Sequence, residues 1–294
     1  MQIQQSYNES GGKLYLVPTP IGNLNDMTFR AVEILKEADL IAAEDTRQTR
    51  KLLNHFGIHT SMVSYHEHNE EKSGEFLLNW LKSGKTVALV TDAGTPAISD
   101  PGFLLAREAI QEGIAVIALP GANAAITALI ASGINPQPFL FYGFLPRKEK
   151  ERIRELERLR AIPYTLIFYE APHRLKKMMK DLRQVFGTRR TVLARELTKR
   201  FEEYVRGSIN EVAEWLETNE PRGEFCIIVE GSVGEGEQTP WWQEFTIREH
   251  VRHYMNGGYS PMEAIKKTAS DRQMPKREVY QIFHSQEEGK QKNP

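Results

Sequence analysis

The stretch Val90-Thr91-Asp92-Ala93-Gly94-Thr95-Pro96-Ala97-Ile98-Ser99-Asp100-Pro101-Gly102 decides how this chain is read. The apolar run that ends at Val90 predicts a buried strand. Asp92 and Gly94 follow at once, and Pro96 and Pro101 flank a second acid, Asp100. Proline fixes φ and glycine opens the left-handed region, so the strand stops in a rigid turn. In an open α/β sheet, ligands sit beyond the carboxyl ends of the strands. A stiff loop of backbone amides and carboxylates at such an end suits a small polar ligand.

The same punctuation recurs on both sides. Residues 13–17 read as a first strand that runs into Pro18-Thr19-Pro20-Ile21-Gly22-Asn23-Leu24. Thr28 then caps a helix carrying Phe29, Val32 and Leu35 at helical spacing. A strand over 39–43 ends at Glu44-Asp45-Thr46-Arg47, before a helix over 49–56. A short strand at 62–64 leads to His66, Glu67 and His68, and a helix over 71–82 precedes the strand at 86–90. A helix over 103–112 and a strand over 115–119 follow, stopped by Pro120 and Gly121; a helix over 122–132 closes at Gly133. Alternating strands and helices predict a mostly parallel sheet covered by helices.

A second block begins at 139–144. A charged helix over 148–160 and strands at 165–169, 191–195, 201–205 and 225–230 predict a mixed α/β domain, with Ser208 and Glu211 placed to cap a helix. Residues 231–240 are rich in Gly and Glu and read as a linker. Helices over 246–256, 261–270 and 276–283 form a small third module, and the last ten residues are expected to be disordered. The expected domains are 12–133 and 134–231, a linker at 232–245, and a helical module at 246–284.

Composition narrows the function. The 294 residues carry 40% apolar side chains and a formal net charge of -1, so the whole molecule shows no nucleic-acid signature. Between Arg147 and Arg200, however, 17 Lys or Arg face 7 Asp or Glu. Cys226 is the single cysteine; it sits in an apolar strand and excludes an intrachain disulfide or a cysteine-based metal site. No stretch reaches the length of a membrane span and none reads as a secretory signal, so a cytoplasmic protein is expected. The first loop holds one glycine, not the three of a dinucleotide fingerprint, and Gly84-Lys85-Thr86 precedes a strand instead of opening a helix as a phosphate loop does. His66 and His68 lack a convincing third ligand, so no metal site is expected. The run Tyr169-Glu170-Ala171-Pro172-His173-Arg174 offers two readings. Arg174 either pairs with a buried Glu170 or grips a phosphate.

Taken together, several strings resemble the bacterial 16S ribosomal RNA ribose 2'-O-methyltransferases of the tetrapyrrole methylase superfamily. They are residues 16–24, Ala43-Glu44-Asp45-Thr46-Arg47, residues 92–102, Leu119-Pro120-Gly121, residues 168–174 and Pro221-Arg222-Gly223-Glu224-Phe225. The resemblance implies a two-domain tetrapyrrole-methylase-like α/β fold: a mostly parallel N-terminal sheet, a second mixed α/β domain and a small C-terminal helical module. It implies S-adenosylmethionine in the cleft between the domains, with Pro20, Gly22, Asp92, Gly94, Thr95, Pro96, Pro120 and Gly121 as its contacts, and no metal. The implied substrate is a cytidine ribose in the decoding region of 16S rRNA within the small ribosomal subunit; the implied assembly is a homodimer. A hydroxyl nucleophile favours a base at the same sheet end; Glu44, Asp45, Asp100 and His66 are the candidates, with Asp45, Asp100 and Glu44 carried forward. Arg47, His66, His173, Arg174, Lys199, Lys266, Lys267, Lys276 and Arg277 are the candidate RNA contacts. A methylase of a tetrapyrrole or other small molecule, and a non-catalytic RNA-binding protein that senses a nucleotide, are the alternatives.

Overall fold

The computed structural model describes residues 1, 3–6, 11–232, 242, 245–272 and 274–285. Most of the expected linker and nearly all of the final ten residues lie outside that set. Two compact units result, Met1–Ser232 and Val233–Pro294.

The first unit holds two sheets. In the first, β1 (Lys13–Leu16), β2 (Leu40–Ala43), β3 (Met62–Ser64), β4 (Thr86–Val90) and β5 (Ala115–Ala118) lie in the order β3-β2-β4-β1-β5. Every neighbouring pair is parallel. Helices α1 (Phe29–Glu37), α2 (Thr46–His55), α3 (Glu70–Lys82) and α4 (Phe103–Gln111) make the crossovers, and α5 (Ala124–Ser132) leaves β5. A parallel sheet covered on both faces needs strands that are apolar throughout. Accordingly all four residues of β2 and Val87 to Val90 of β4 are buried. Apolar clusters centred on Val17, Leu35 and Ile41 and on Leu14, Leu77 and Leu89 fill the two faces.

The second sheet is mixed. It comprises β6 (Phe139–Phe144), β7 (Thr165–Glu170), β8 (Arg190–Arg195), β9 (Glu203–Ser208) and β10 (Phe225–Val229), in the order β6-β7-β10-β8-β9. Only β6 and β7 run parallel. Helices α6 (Glu149–Leu159), α7 (Pro172–Phe186) and α8 (Ile209–Thr218) cover one face. Arg152 and Asp181, both buried, pair at 2.6 Å between α6 and α7. The other face is closed by α5. Its Ala125, Ala128 and Leu129 pack on Ile167, Val192, Ala194, Cys226 and Ile228. Arg206 then donates to the carbonyls of Ala131 and Ser132, satisfying the end of that helix. A helix launched from the first sheet is therefore the floor of the second, which fixes the strand ends of both sheets around one cleft.

Three local readings differ from the sequence. α2 starts at Thr46, not 49, because the Asp45 carboxylate accepts from the Arg47 amide and caps it. β9 starts at Glu203, two residues late, since the turn before it uses left-handed Glu196 and Thr198. The long helix α7 was absent from the sequence reading. Its signals were Pro172 in the first turn and Leu175, Met178, Met179 and Leu182 at helical spacing, all buried.

In the second unit α9 (Ile247–Asn256), α10 (Pro261–Asp271) and α11 (Lys276–His284) pack around Val251, Ile265 and Val279. The Thr246 hydroxyl and the Glu249 carboxylate cap α9 reciprocally. Buried His250 lies between stacked Trp242 and Tyr254, with Asp271 3.2 Å from its Nε2. No described helix is long and apolar enough to cross a membrane.

Candidate active site

The carboxyl ends of β1, β2, β4 and β5 carry loops that are tied to one another. Thr19 and Gly94 exchange backbone hydrogen bonds of 2.9 Å in both directions, so the first loop is zipped to the fourth. The Thr19 hydroxyl donates to the Thr91 carbonyl at 3.1 Å. The Asp92 amide donates to Glu44, and the Asp45 amide donates to Asp92, each at 3.1 Å. The Thr95 hydroxyl donates to the Ala122 carbonyl, and Asn123 caps α5. The Ala125 amide at the start of α5 donates to the Tyr169 hydroxyl, which ties this edge to β7.

These loops enclose a cleft of about 450 Å³ together with the strand ends of the second sheet. Glu44, Asp92, Gly94, Thr95, Ser99 and Asp100 line it from the first sheet. Phe144, Tyr169, Glu170, Leu197, Lys199, Glu224 and Phe225 line it from the second. That volume suits a single drug-sized ligand. The non-glycine residues with positive φ among those described, Ala97, Ser99, Glu196 and Thr198, lie on its two facing loops. Left-handed backbone costs such residues free energy and persists where the surroundings impose it, a pattern that marks functional loops.

The electrostatics are as distinctive as the shape. Burial raises the Asp100 carboxyl to about 7, helped by the negative charges of Glu44, Asp92 and Glu224. Burial also raises Glu44 and Asp92, each against a backbone hydrogen bond that favours the charged form. Asp45 goes the other way. The Arg47 guanidinium and amide hold it at about 2. Three acids that resist ionising together define a site complementary to a cation. Ile21, Leu197 and Phe225 supply apolar wall beside them.

The structure thus gathers part of the set expected from the sequence. Asp92, Gly94, Thr95, Asp100, Glu44 and Lys199 line the cleft. Pro20, Gly22, Pro96, Pro120 and Gly121 are not among the residues that line it. Gly121 has no room for a side chain because a Cβ would fall 2.6 Å from Pro18 Cβ. At Gly22 the stem of Lys199 occupies the corresponding space. Asp45 is spent on capping α2 and on its 2.7 Å pair with Arg47, so it leaves the group of candidate bases. Arg174 takes the internal option. It lies 3.2 Å from buried Glu170 and donates to the Leu145 and Pro146 carbonyls, which removes it from the RNA-facing set. Arg47, His173, Lys266, Lys267, Lys276 and Arg277 are exposed, and His66 is half-buried near Glu44. Lys199 pairs with Glu196 and Glu224. Sequence reasoning missed Phe144, Ser99 and Glu224 as site residues. Only Gly143, a glycine inside a strand, signalled the first of them.

The model of the family described as Tetrapyrrole (Corrin/Porphyrin) Methylases matches residues 13–213. The chain belongs to the tetrapyrrole methylase family. As a tetrapyrrole methylase it is a methyltransferase with S-adenosylmethionine as donor, which accords with the cation-complementary cleft. It is 55% identical to a Bacillus subtilis (strain 168) protein named ribosomal RNA small subunit methyltransferase I, over 97% of this chain and 99% of that one. A protein of the same name from Halalkalibacterium halodurans is 54% identical, over 97% of this chain and 100% of that one. Among solved structures it resembles a uroporphyrin-III C-methyltransferase from Thermus thermophilus complexed with S-adenyl homocysteine. There the identity is 21%, the TM-score 0.53, and the coverage 74% of this chain and 97% of that one, a likeness of fold. The groups of three or more His, Cys, Asp or Glu that hold metals are absent among the described residues.

Proposed function

We propose that this methyltransferase methylates the 2'-hydroxyl of a cytidine ribose in the decoding region of 16S rRNA. Its substrate is the small ribosomal subunit, and it acts as a homodimer in the cytoplasm. The acid-lined cleft at the strand ends carries the reading, and near-full-length identity to proteins named for ribosomal RNA of the small subunit supports the substrate class.

The donor, when bound, supplies a methyl group made electrophilic by a cationic sulfur. The chain's own work is to bind, orient and deprotonate. Asp92, Gly94 and Thr95 hold the donor side of the cleft, and the Thr19–Gly94 bridge keeps that loop rigid. Orientation in line with the bond to be broken supplies much of the acceleration. Asp100 accepts the proton that the ribose hydroxyl loses as its oxygen bonds to the methyl carbon. A carboxyl near 7 is a far stronger base than an ordinary aspartate, and a substantial fraction is ionised at neutral pH. A cation facing Glu44, Asp92 and Asp100 shifts all three towards the charged form, so donor binding readies the base. Arg47, His66 and His173 on the first unit, and Lys266, Lys267, Lys276 and Arg277 on the helical unit, contact phosphates. Those contacts release counterions, so subunit binding weakens steeply with salt.

The test incubates the protein with methyl-labelled donor and undermethylated small subunits, then digests the RNA in alkali. A 2'-O-methyl ribose blocks cleavage at its own phosphate, so the expected label lies in an alkali-resistant dinucleotide containing cytidine. Label in mononucleotides, or no transfer from protein that binds donor, contradicts the reading. A salt-independent affinity for subunits contradicts the phosphate contacts.

A further inference from the structure

β6 contains an irregularity that the donor site does not need. Its parallel pairing with β7 runs Phe141 against Ile167 and then Gly143 against Phe168, so β6 carries one residue more than its partner. Bulges are rare in parallel pairs, and where they occur near active sites they re-aim a side chain. Here the re-aimed side chain is Phe144. Leu140 and Tyr142 point into the core beneath α6 and α7, while Phe141 faces the opposite side of the sheet. Simple alternation would send Phe144 into the core with Tyr142. The extra residue, with Gly143 at φ 79, turns it instead to the side of Phe141. Both rings then pack edge to face on Tyr169, with centroids 5.1 and 5.6 Å away.

Phe144 lines the cleft and yet remains 53% exposed. A phenylalanine left half-exposed by a bulge, when the regular strand would bury it, forgoes part of its burial free energy. Its neighbourhood says what it faces. A Cβ on Gly143 would lie 2.9 Å from Ser99 Oγ, so the end of β6 abuts the loop that carries Asp100.

We propose that Phe144 is the platform on which the nucleobase of the methylated nucleotide stacks. The inference rests on the ribose reading above. The carbon bearing the 2'-hydroxyl is bonded to the carbon bearing the base. A hydroxyl presented to Asp100 therefore brings its base beside the end of β6. Single-stranded RNA is recognised through unstacked bases that are splayed out and received on aromatic faces. The exposed position, at the mouth of the cleft, suits a substrate that arrives from solvent. The donor's adenine does not need this ring, because Leu197, Phe225 and Cys226 give the cleft a separate, buried apolar wall.

The test compares Phe144→Leu and Phe144→Trp by calorimetry with donor and by kinetics with small subunits. Base stacking on an aromatic ring sets the scale, so Phe144→Leu lowers kcat/KM for subunits by about ten-fold or more. Its donor affinity stays within about two-fold, which also shows that the variant is folded. Phe144→Trp retains most of the activity, because a larger π-face replaces the lost one. Unchanged subunit kinetics in Phe144→Leu, or a loss confined to donor affinity, overturns the proposal; the second result assigns the ring to the donor's adenine. Absence of transfer by the unaltered protein overturns the ribose reading and this inference with it, whereas transfer with unaffected variants overturns this inference alone.

Discussion

Asp45 and Asp100 are the same residue type at the same end of the same sheet, and the structure makes opposites of them. Asp45 follows β2, caps α2 and is bracketed by Arg47; its carboxyl is held at about 2. Asp100 sits in the loop after β4, partly buried beside three other carboxylates, and its carboxyl is raised to about 7. One is an ordinary charge with a structural task. The other has a carboxyl poised near neutral pH, as the proposed proton acceptor requires. Position on the sheet edge selects candidates, but only the partners around each carboxylate assign a role.

The largest expected effect bears directly on that contrast. Asp100→Asn lowers the single-turnover rate of methyl transfer at saturating donor by about 10²–10⁴-fold, the range typical of general acid–base catalysis, and it also weakens donor binding in calorimetry, because the cation loses one of the three carboxyls it faces. The same exchange stabilises the fold at alkaline pH. The folded carboxyl lies above its unfolded value of 3.8, so its contribution to stability is fully present below that value. It is lost as pH rises towards and through about 7. Melting curves at pH 8 therefore place Asp100→Asn above the parent, and at pH 4 the two converge.

Arg174→Met comes next. It leaves Glu170, which is 2% exposed, without its countercharge. Removing one partner of a buried pair costs about 3 kcal/mol or more, so urea denaturation shows a lower midpoint. A variant with normal stability and lost RNA affinity would return Arg174 to the RNA surface. Gly94→Val strains a residue at φ 83 and presses on Ile21 Cγ2, 3.3 Å from the new Cβ. When the free loop relieves left-handed strain of about 1–2 kcal/mol by moving, donor binding must restore it, which predicts an affinity roughly ten-fold weaker. Equal affinity in calorimetry would take the loop away from the donor. Asp45→Asn is the smallest. Asparagine caps helices as well as aspartate does, so both melting temperature and transfer rate stay close to the parent's.

The fold was largely legible because its signals are local. Apolar runs such as 87–90 ended by glycine or proline, and caps at Thr28, Asn123 and Ser208, each announce an element within a few residues. α7 is hidden because its first turn overlaps the string Tyr169 to Arg174, whose acid, imidazole and guanidinium mask the helical spacing that starts there. The site was half legible. The sequence shows which loops carry acids, and the β4 loop it singles out lines a cleft in the structure. It cannot show that Arg47 and the α2 amides consume Asp45, or that Glu170 and two carbonyls consume Arg174. Those assignments depend on neighbours brought in by folding. Phe144 was hidden for a related reason, since one extra residue in β6 reverses the face on which a strand residue lies.

The proposed chemistry turns on Asp100, a carboxylate tuned by burial. The pH dependence of kcat/KM for the donor reports the essential groups of the free enzyme. The parent protein is predicted to show a rising limb with an apparent pKa near 7, and Asp100→Asn a low profile without that limb. A parent profile that is flat across neutral pH, or a rising limb that survives in Asp100→Asn, contradicts it.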